Sequence, residues 1–281
     1  LLNELGTGAT FRELSTKALA SVNIPIPPLR EQQQIVALLD EAFEAIDQAK
    51  ANIEKNIQNA KELFQSKLIE IFTTNDKGWE HKRFQDIAIE FGRGKSKHRP
   101  RNDAKLFGGD YPFVQTGDVR NVEKFITKFS QTYNEVGLAQ SKLWPKGTIC
   151  ITIAANIAET AILDIEACFP DSIIGLIVDD SKANRDYCFY ALQYLKSELQ
   201  AKGKGSAQDN INLGTFQTQF FPFPEIYTQE KMVKILDDLK DKCILIEDGY
   251  KMKLENLDDL KKSILQKAFA GELKLEKVNV A

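Results

Sequence analysis

Apolar residues in two stretches of the chain recur at alternating spacings of four and three, the signature of a helix with one buried seam. In the first stretch Ile35, Leu39, Ala42, Phe43, Ile46, Ala49 and Ile53 keep this spacing, and Ile57, Ala60, Phe64 and Leu68 continue it after two consecutive steps of four, a stutter. In the second, Met232, Leu236, Leu239, Cys243, Ile246, Tyr250, Leu254 and Leu257 follow the same pattern, stutter included, and Gly271 is placed to end the helix. About forty residues of helix span roughly 60 Å, more than a small domain covers, so each helix needs a long partner. The simplest arrangement pairs the two as an antiparallel coiled coil, with Ile35, Leu39, Ile46, Ile53 and Ile57 facing Leu236, Leu239, Cys243, Ile246 and Tyr250. The plainer alternative is that each stripe is ordinary core.

The two stretches belong to a longer duplication. Residues Gly6 to Phe72 match a later segment without gaps at an offset of 197. Gly6-Thr7-Gly8-Ala9 meets Gly203-Lys204-Gly205-Ser206, Ile24-Pro25-Ile26-Pro27 meets Phe221-Pro222-Phe223-Pro224, and Gln32, Val36, Leu39 and Asp40 meet Gln229, Val233, Leu236 and Asp237. Leu63, Ser66, Leu68 and Phe72 meet Leu260, Ser263, Leu265 and Phe269. Proline fixes φ and removes a donor, so each copy reads as a Pro-bounded extended edge running into a long helix.

Between the copies the pattern changes. From Trp79 onward come short β-like runs, Tyr111–Val114, Thr148–Ile153 and Ile173–Val178, separated by Gly, Pro, Asn and Asp clusters. One helix is expected inside this region, capped by Asn184, with Tyr187, Ala191, Leu192, Tyr194 and Leu195 on its apolar face, ending at Lys202-Gly203-Lys204-Gly205. The predicted fold class is α+β: a globular domain of mixed short strands plus two long helices. Trp79 and Trp144 read as core aromatics.

Composition bounds the function classes. The 281 residues are 43% hydrophobic and 27% charged, as in soluble globular proteins. No apolar stretch reaches the ~18 residues of a membrane helix, and Leu1-Leu2-Asn3-Glu4 lacks the features of a signal peptide, so a cytoplasmic protein with no membrane partner is expected. That opening, without an initiator Met, reads as the tail of a domain and the chain as a fragment of something longer. Cys150, Cys168, Cys188 and Cys243 form no C-x-x-C pair and read as reduced core thiols.

The net charge of −3 speaks against nucleic acid until its distribution is considered. Between Gly92 and Lys105, six cations face the single Asp103, so this stretch is +5 and the rest of the chain −8. The run from Gly92 to Arg101, with Arg93, Lys95, Lys97, His98, Arg99 and Arg101, contains glycines and a proline and is expected to be a projecting loop that meets DNA phosphates or guanine edges. The plainer alternative is a solvated charged loop. Gln115, Thr116, Asn156, Lys204, Gln208 and Asn210 are further candidates for DNA contact, because Gln and Asn can read adenine; each polar cluster could equally be a turn, and Asp118 reads as a turn cap.

Signals for catalysis are weak. Gly94-Lys95-Ser96 resembles the end of a phosphate-binding loop, but the position five residues before Gly94 holds Ile89, not glycine. The Asn/Asp-Pro-Pro-aromatic tetrapeptide of amino-methyltransferases is absent. His81 and His98 are the only histidines, and neither lies near cysteine or paired carboxylates at metal spacing. No catalytic residue, metal site or cofactor is expected.

Taken together, these motifs resemble the specificity subunits of type I restriction-modification systems. The resemblance rests on the duplicated Gly-x-Gly-small and Pro-x-Pro segments, the Gln-rich helix start from Ile24 to Val36, the Leu-x-x-Ser-x-Leu-x-x-x-Phe helix ends, Gly78-Trp79-Glu80 and Phe113–Val119. It implies a remnant of a first target-recognition domain over 1–29, a first conserved helical region over 30–73, a target-recognition domain over 74–227, a second helical region over 228–273 and a tail over 274–281. Most of the first recognition domain is missing from that pattern. The resemblance further implies a non-catalytic subunit that reads one half of a bipartite double-stranded DNA site and docks methyltransferase subunits through its helices, with restriction subunits joining through the complex. A homodimer of the chain would supply two half-site readers. The alternative is a non-catalytic assembly scaffold whose central domain binds protein.

Overall fold

The structure is a computed structural model that describes residues 13–74, 78–153, 158–202 and 213–273. A short helix α1 (Thr16–Ala20) precedes the first long helix, α2 (Leu29–Thr74). Shorter helices α3 (Thr116–Arg120), α4 (Glu135–Ala139), α5 (Arg185–Lys202) and α6 (Leu213–Thr218) follow along the chain. The second long helix, α7 (Ile226–Ala270), ends where Gly271 takes φ +73° and the Glu272 N–H reaches back to Lys267 O at 2.9 Å, the stop expected of that glycine.

The chain divides into two units, one of residues 1–60 with 245–281 and one of residues 61–244. In the first unit the long helices are antiparallel. Lys50 pairs with Asp258, and Lys261 pairs with Asp47 at 3.1 Å, so a step of three residues forward on one helix is a step of three back on the other. The Lys261 ammonium also lies 4.8 Å from the Phe43 ring centre. Ile46 is buried, and Ile35, Leu39, Ile53, Ile57 and Tyr250 are half-buried, whereas Ile246 is 45% exposed.

In the second unit the helix segments serve a globular core. Phe64, Leu68 and Phe72 of α2 and Met232, Leu236 and Cys243 of α7 share one cluster with the strands and with α5, and Leu239 packs against it. Of the residues expected in the helix seam, Leu236, Leu239 and Cys243 thus pack into the domain core. The periodic stripe fixes which face of a helix is apolar and leaves its partner to the tertiary structure. Phe72 stacks on Tyr194 with ring centres 5.0 Å apart.

Among the described residues three sheets build this unit. Strands β2 (Ala88–Arg93), β10 (Ile173–Val178), β7 (Ile149–Thr152), β8 (Thr160–Leu163) and β4 (Phe125–Ile126) lie in that order in a five-stranded sheet. Strands β5 (Gln131–Tyr133), β3 (Phe107–Phe113), β9 (Ala167–Cys168) and β6 (Leu143–Trp144) form a four-stranded sheet. The third pairs β1 (Glu80–Arg83) antiparallel with β11 (Phe220–Phe223), the Pro-bounded segment of the second repeat, and α7 begins three residues later. A strand carrying Pro222 tolerates only one hydrogen-bonded neighbour, which this two-stranded ribbon provides. The matching segment of the first repeat, Ile24–Pro27, has no strand assignment.

Helix α5 starts as expected, with Asn184 Oδ1 accepting from Tyr187 N at 2.9 Å, and its named apolar face is buried. Gln229, fully buried, ties α7 to the domain: its Oε1 accepts from Asn184 N at 2.9 Å and its Nε2 donates to Pro224 O at 2.8 Å. Further along the same two helices, Lys124 bridges Asp186 (2.9 Å) and Asp237 (2.6 Å), and the Tyr190 hydroxyl donates to Asp237 at 2.5 Å. Burial pushes the Asp186 carboxyl up, but the Lys124 hydrogen bond and charge, helped by Arg185, hold it below its ordinary value. All four cysteines are free and buried, and burial raises the Cys150 and Cys188 thiols far above their ordinary range. Trp144 is buried and Trp79 packs against the core, as expected of both.

Candidate nucleic-acid interface

The basic run starts in a strand and continues as the expected loop, since residues 94–103 carry no helix or strand, but the loop is pinned on both sides rather than free. Gly92 and Arg93 belong to β2, where Arg93 pairs with Ile174, and the chain stays against β10 for one residue more, with Gly94 N donating to Ile173 O at 2.9 Å. On its other side Ser141 Oγ donates to Lys95 O at 2.8 Å, and Gln140 Oε1 accepts from His98 N at 3.0 Å. Side chains of an extended chain alternate between faces. Gly94 and Ser96 are therefore buried, while Arg93, Lys95, Lys97, Arg99 and Arg101 are exposed. Glycine at 94 is a steric requirement, since a Cβ there would lie 2.3 Å from Phe169 O and 2.5 Å from Pro170 O. Alternation turns Arg93, Lys95 and Lys97 outward, and Arg99 and Arg101 are exposed on the bend and turn that follow, so the five cations make up one basic ridge along the run.

The members of the ridge differ in their surroundings. Arg93, Lys95 and Lys97 form no ion pair among the described residues. Arg101 Nη2 donates to both oxygens of Asp171 at 2.6 and 2.8 Å, and Arg99 donates to Ser96 O and His98 O at 2.6 and 2.8 Å. His98 turns away from the ridge: it is half-buried, with Nε2 2.9 Å from Asp103 Oδ2. The Lys105 backbone N–H and then the His98 ring hold the Asp103 carboxyl below its ordinary value.

Next to the ridge lies a depression of about 650 Å³ that brings together Arg101, Asn102, Gln115, Thr116 and Gln131. Gln115 precedes the short helix α3, and Asp118 Oδ2 accepts from Gln115 N at 2.8 Å and from Ser130 Oγ at 3.2 Å, so Asp118 is the turn cap its sequence context predicts. Gln115 Nε2 donates to Gln131 Oε1 at 2.7 Å. Three of the predicted site residues, Arg101, Gln115 and Thr116, are thus gathered around one hollow. Asn156, Lys204, Gln208 and Asn210 lie outside the described residues. Sequence reasoning missed Asn102 and Gln131: Gln131 sits on a three-residue edge strand, too short to carry a periodic signal, and only the pairing of β5 with β3 brings it to Gln115.

Beneath the ridge three buried polar groups, Ser96 Oγ, the Tyr133 hydroxyl and Gln140 Nε2, lie close together but outside hydrogen-bond geometry. Burial raises the Tyr133 hydroxyl above its ordinary value, opposed by Ser96 and Gln140. Among the described residues no group of three or more His, Cys, Asp or Glu side chains could hold a metal ion, and no helix is long and apolar enough to cross a membrane.

An α+β domain with a basic ridge on its surface, together with a long antiparallel helix pair, defines a class that comparison with known proteins identifies. The family model described as type I restriction modification DNA specificity domain matches residues 1–59 and 76–256, and the chain belongs to that family. Among curated relatives, the type I restriction enzyme MjaIX specificity subunit of Methanocaldococcus jannaschii is 25% identical, the match covering 99% of this chain and 66% of the relative. The StySPI specificity subunit of Salmonella potsdam is 24% identical over 97% of this chain and 62% of its own length. Among solved structures, the HsdS subunit from Thermoanaerobacter tengcongensis superposes with a TM-score of 0.58 at 22% identity, covering 96% of this chain and 66% of that one. A chain from a study of complex assembly and conformational transition of the type I R-M system reaches a TM-score of 0.74 at 22% identity, covering 95% and 66%. These likenesses place the fold, and the chain spans just under two thirds of the length of these relatives.

Proposed function

We propose that the chain is a DNA-reading specificity subunit that recognises one half of a bipartite duplex site and leaves the chemistry to partner subunits. The observation that carries this reading is the ridge: Arg93, Lys95, Lys97, Arg99 and Arg101 are all exposed, and Arg101 at its end edges a hollow with Gln115, Thr116 and Gln131. Cations along the rim suit phosphates, and amides in the hollow suit base edges. In this reading residues 74–227 are the recognition domain, 30–73 and 228–273 are helical regions that dock methyltransferase subunits, and 1–29 belong to a first recognition domain. Restriction subunits join through that complex. Asn156, Lys204, Gln208 and Asn210 remain candidate DNA contacts.

The test is binding of the full chain to duplex DNA over a range of salt, with methyltransferase subunits present. Replacing Arg93, Lys95 and Lys97 by alanine is expected to weaken binding and to reduce the slope of log affinity against log salt by about 0.9 for each phosphate no longer neutralised. An unchanged affinity and slope would remove the ridge from the interface, and wild-type chain that ignores DNA would favour the protein-binding scaffold.

A homodimer completes the proposal. Ile24 and Ile26, equivalent in the repeat to buried Phe221 and Phe223, are 70% and 76% exposed. They edge a groove of about 640 Å³ that also includes Ile35, Leu39 and Phe269. Gln32 makes the same bond as Gln229, from Nε2 to Pro27 O at 2.7 Å, but among the described residues its Oε1 accepts from no helix start. A recognition domain from a second copy would cover this face in the way the central domain covers its own repeat.

A further inference from the structure

From the paired amides of Gln115 and Gln131 we infer a specificity determinant: Gln115, oriented by Gln131, reads the adenine of one A·T pair. The inference rests on the proposed DNA-reading role and adds which base the domain selects and which residue sets the selection. A primary amide has two N–H groups and one carbonyl oxygen. Gln115 spends one N–H on Gln131 Oε1 at 2.7 Å. Its second N–H and Oε1 are left to serve the N7 acceptor and N6 donor that adenine shows in the major groove. An unheld glutamine would have to lose rotamer freedom on binding, and one fixed beforehand loses less. The hold is itself anchored. Gln115 N is fixed by Asp118 at 2.8 Å, and Gln131 lies opposite Phe113 in the β3–β5 ladder.

The surroundings favour the same pair of bases. Thr116 follows Gln115 at the same hollow, where its methyl group suits the C5-methyl of the thymine partner. Ser96, 5% exposed, lines the hollow with its Oγ in no hydrogen bond. Arg101, held on Asp171 at 2.6 Å, closes the rim on the side of the ridge. Gln131 is a positioning residue in this scheme and Gln115 the reader.

The experiment is selection of sites by the full chain from duplex DNA with randomised positions, followed by sequencing. Wild type is expected to enrich one position in A·T. Gln115→Leu and Gln131→Leu should each lose that preference by roughly 5- to 150-fold, at the same position and with the other positions kept. Gln131→Glu keeps an acceptor for Gln115 Nε2, so it should retain the A·T preference at lower overall affinity. The inference is overturned if both leucine variants keep the wild-type motif, if they lose all positions equally, or if Gln131→Glu behaves as Gln131→Leu. A wild-type chain that enriches no sequence sinks the DNA-reading role itself, and the inference with it; a wild-type motif that the variants leave intact sinks the inference alone.

Discussion

At the scale of single residues, Gly94 positions the basic run and Lys124 ties α5 to α7 in the domain. A methyl group at position 94 meets backbone oxygens that cannot rotate away. Gly94→Ala is therefore expected to cost about 1–3 kcal/mol in urea unfolding, as overpacking does, and to weaken DNA binding by displacing the ridge. Lys124 is the shared partner of Asp186 and Asp237. Lys124→Met leaves both carboxylates with one cation fewer, and since the site is partly exposed the expected loss is about 2 kcal/mol. The pH dependence has a definite sign. Asp186 is depressed in the folded protein, so its contribution is present at neutral pH and is lost as pH falls below about 4, through the folded value. The variant should lose less stability over that interval than wild type, measured by unfolding at a series of pH values. At this scale the chemistry of the ridge was legible, since the density of like charge between Gly92 and Lys105 needs no structure to be seen. Its direction was not. The burial of Gly94 and Ser96 and the capture of His98 by Asp103 depend on Phe169, Pro170 and Gln140, which are remote in sequence.

At the scale of elements, the repeat makes an internal comparison possible. Gln32 and Gln229 begin equivalent helices and make equivalent bonds to a proline carbonyl, but only Gln229 also caps a neighbouring helix, at Asn184. Gln229→Leu strands two buried backbone groups and is expected to destabilise the protein by about 2–4 kcal/mol, whereas Gln32→Leu, nearer the surface, should cost under about 1 kcal/mol. Thermal melting of the two variants side by side checks the difference. Two similar losses would show that the first repeat is covered as the second is. The helices were readable because a stripe sustained over forty residues leaves little choice of structure. The strands were partly readable: Ile173–Val178 coincides with β10, while two-residue strands such as Leu143–Trp144 carry no pattern and exist only through their neighbours.

At the scale of the whole molecule, the exposed face at Ile24 and Ile26 leads to a prediction about assembly. Light scattering of the full chain is expected to show a dimer whose population rises with concentration, and Ile24→Asp with Ile26→Asp should shift it to monomer without unfolding the central domain. A wild-type chain that stays monomeric at high concentration would count against the pairing. The sequence by itself determined the two antiparallel-compatible helices, their duplication, the α+β domain between them and the place where positive charge is concentrated, because each is written in local spacing or composition. Only the tertiary structure decided which seam residues serve the helix pair and which serve the domain core, that the basic run is pinned at Gly94, Lys95 and His98, and that Gln131 meets Gln115. Those outcomes come from interactions between residues far apart in the chain, where burial and hydrogen bonding select among arrangements that the local pattern leaves equal.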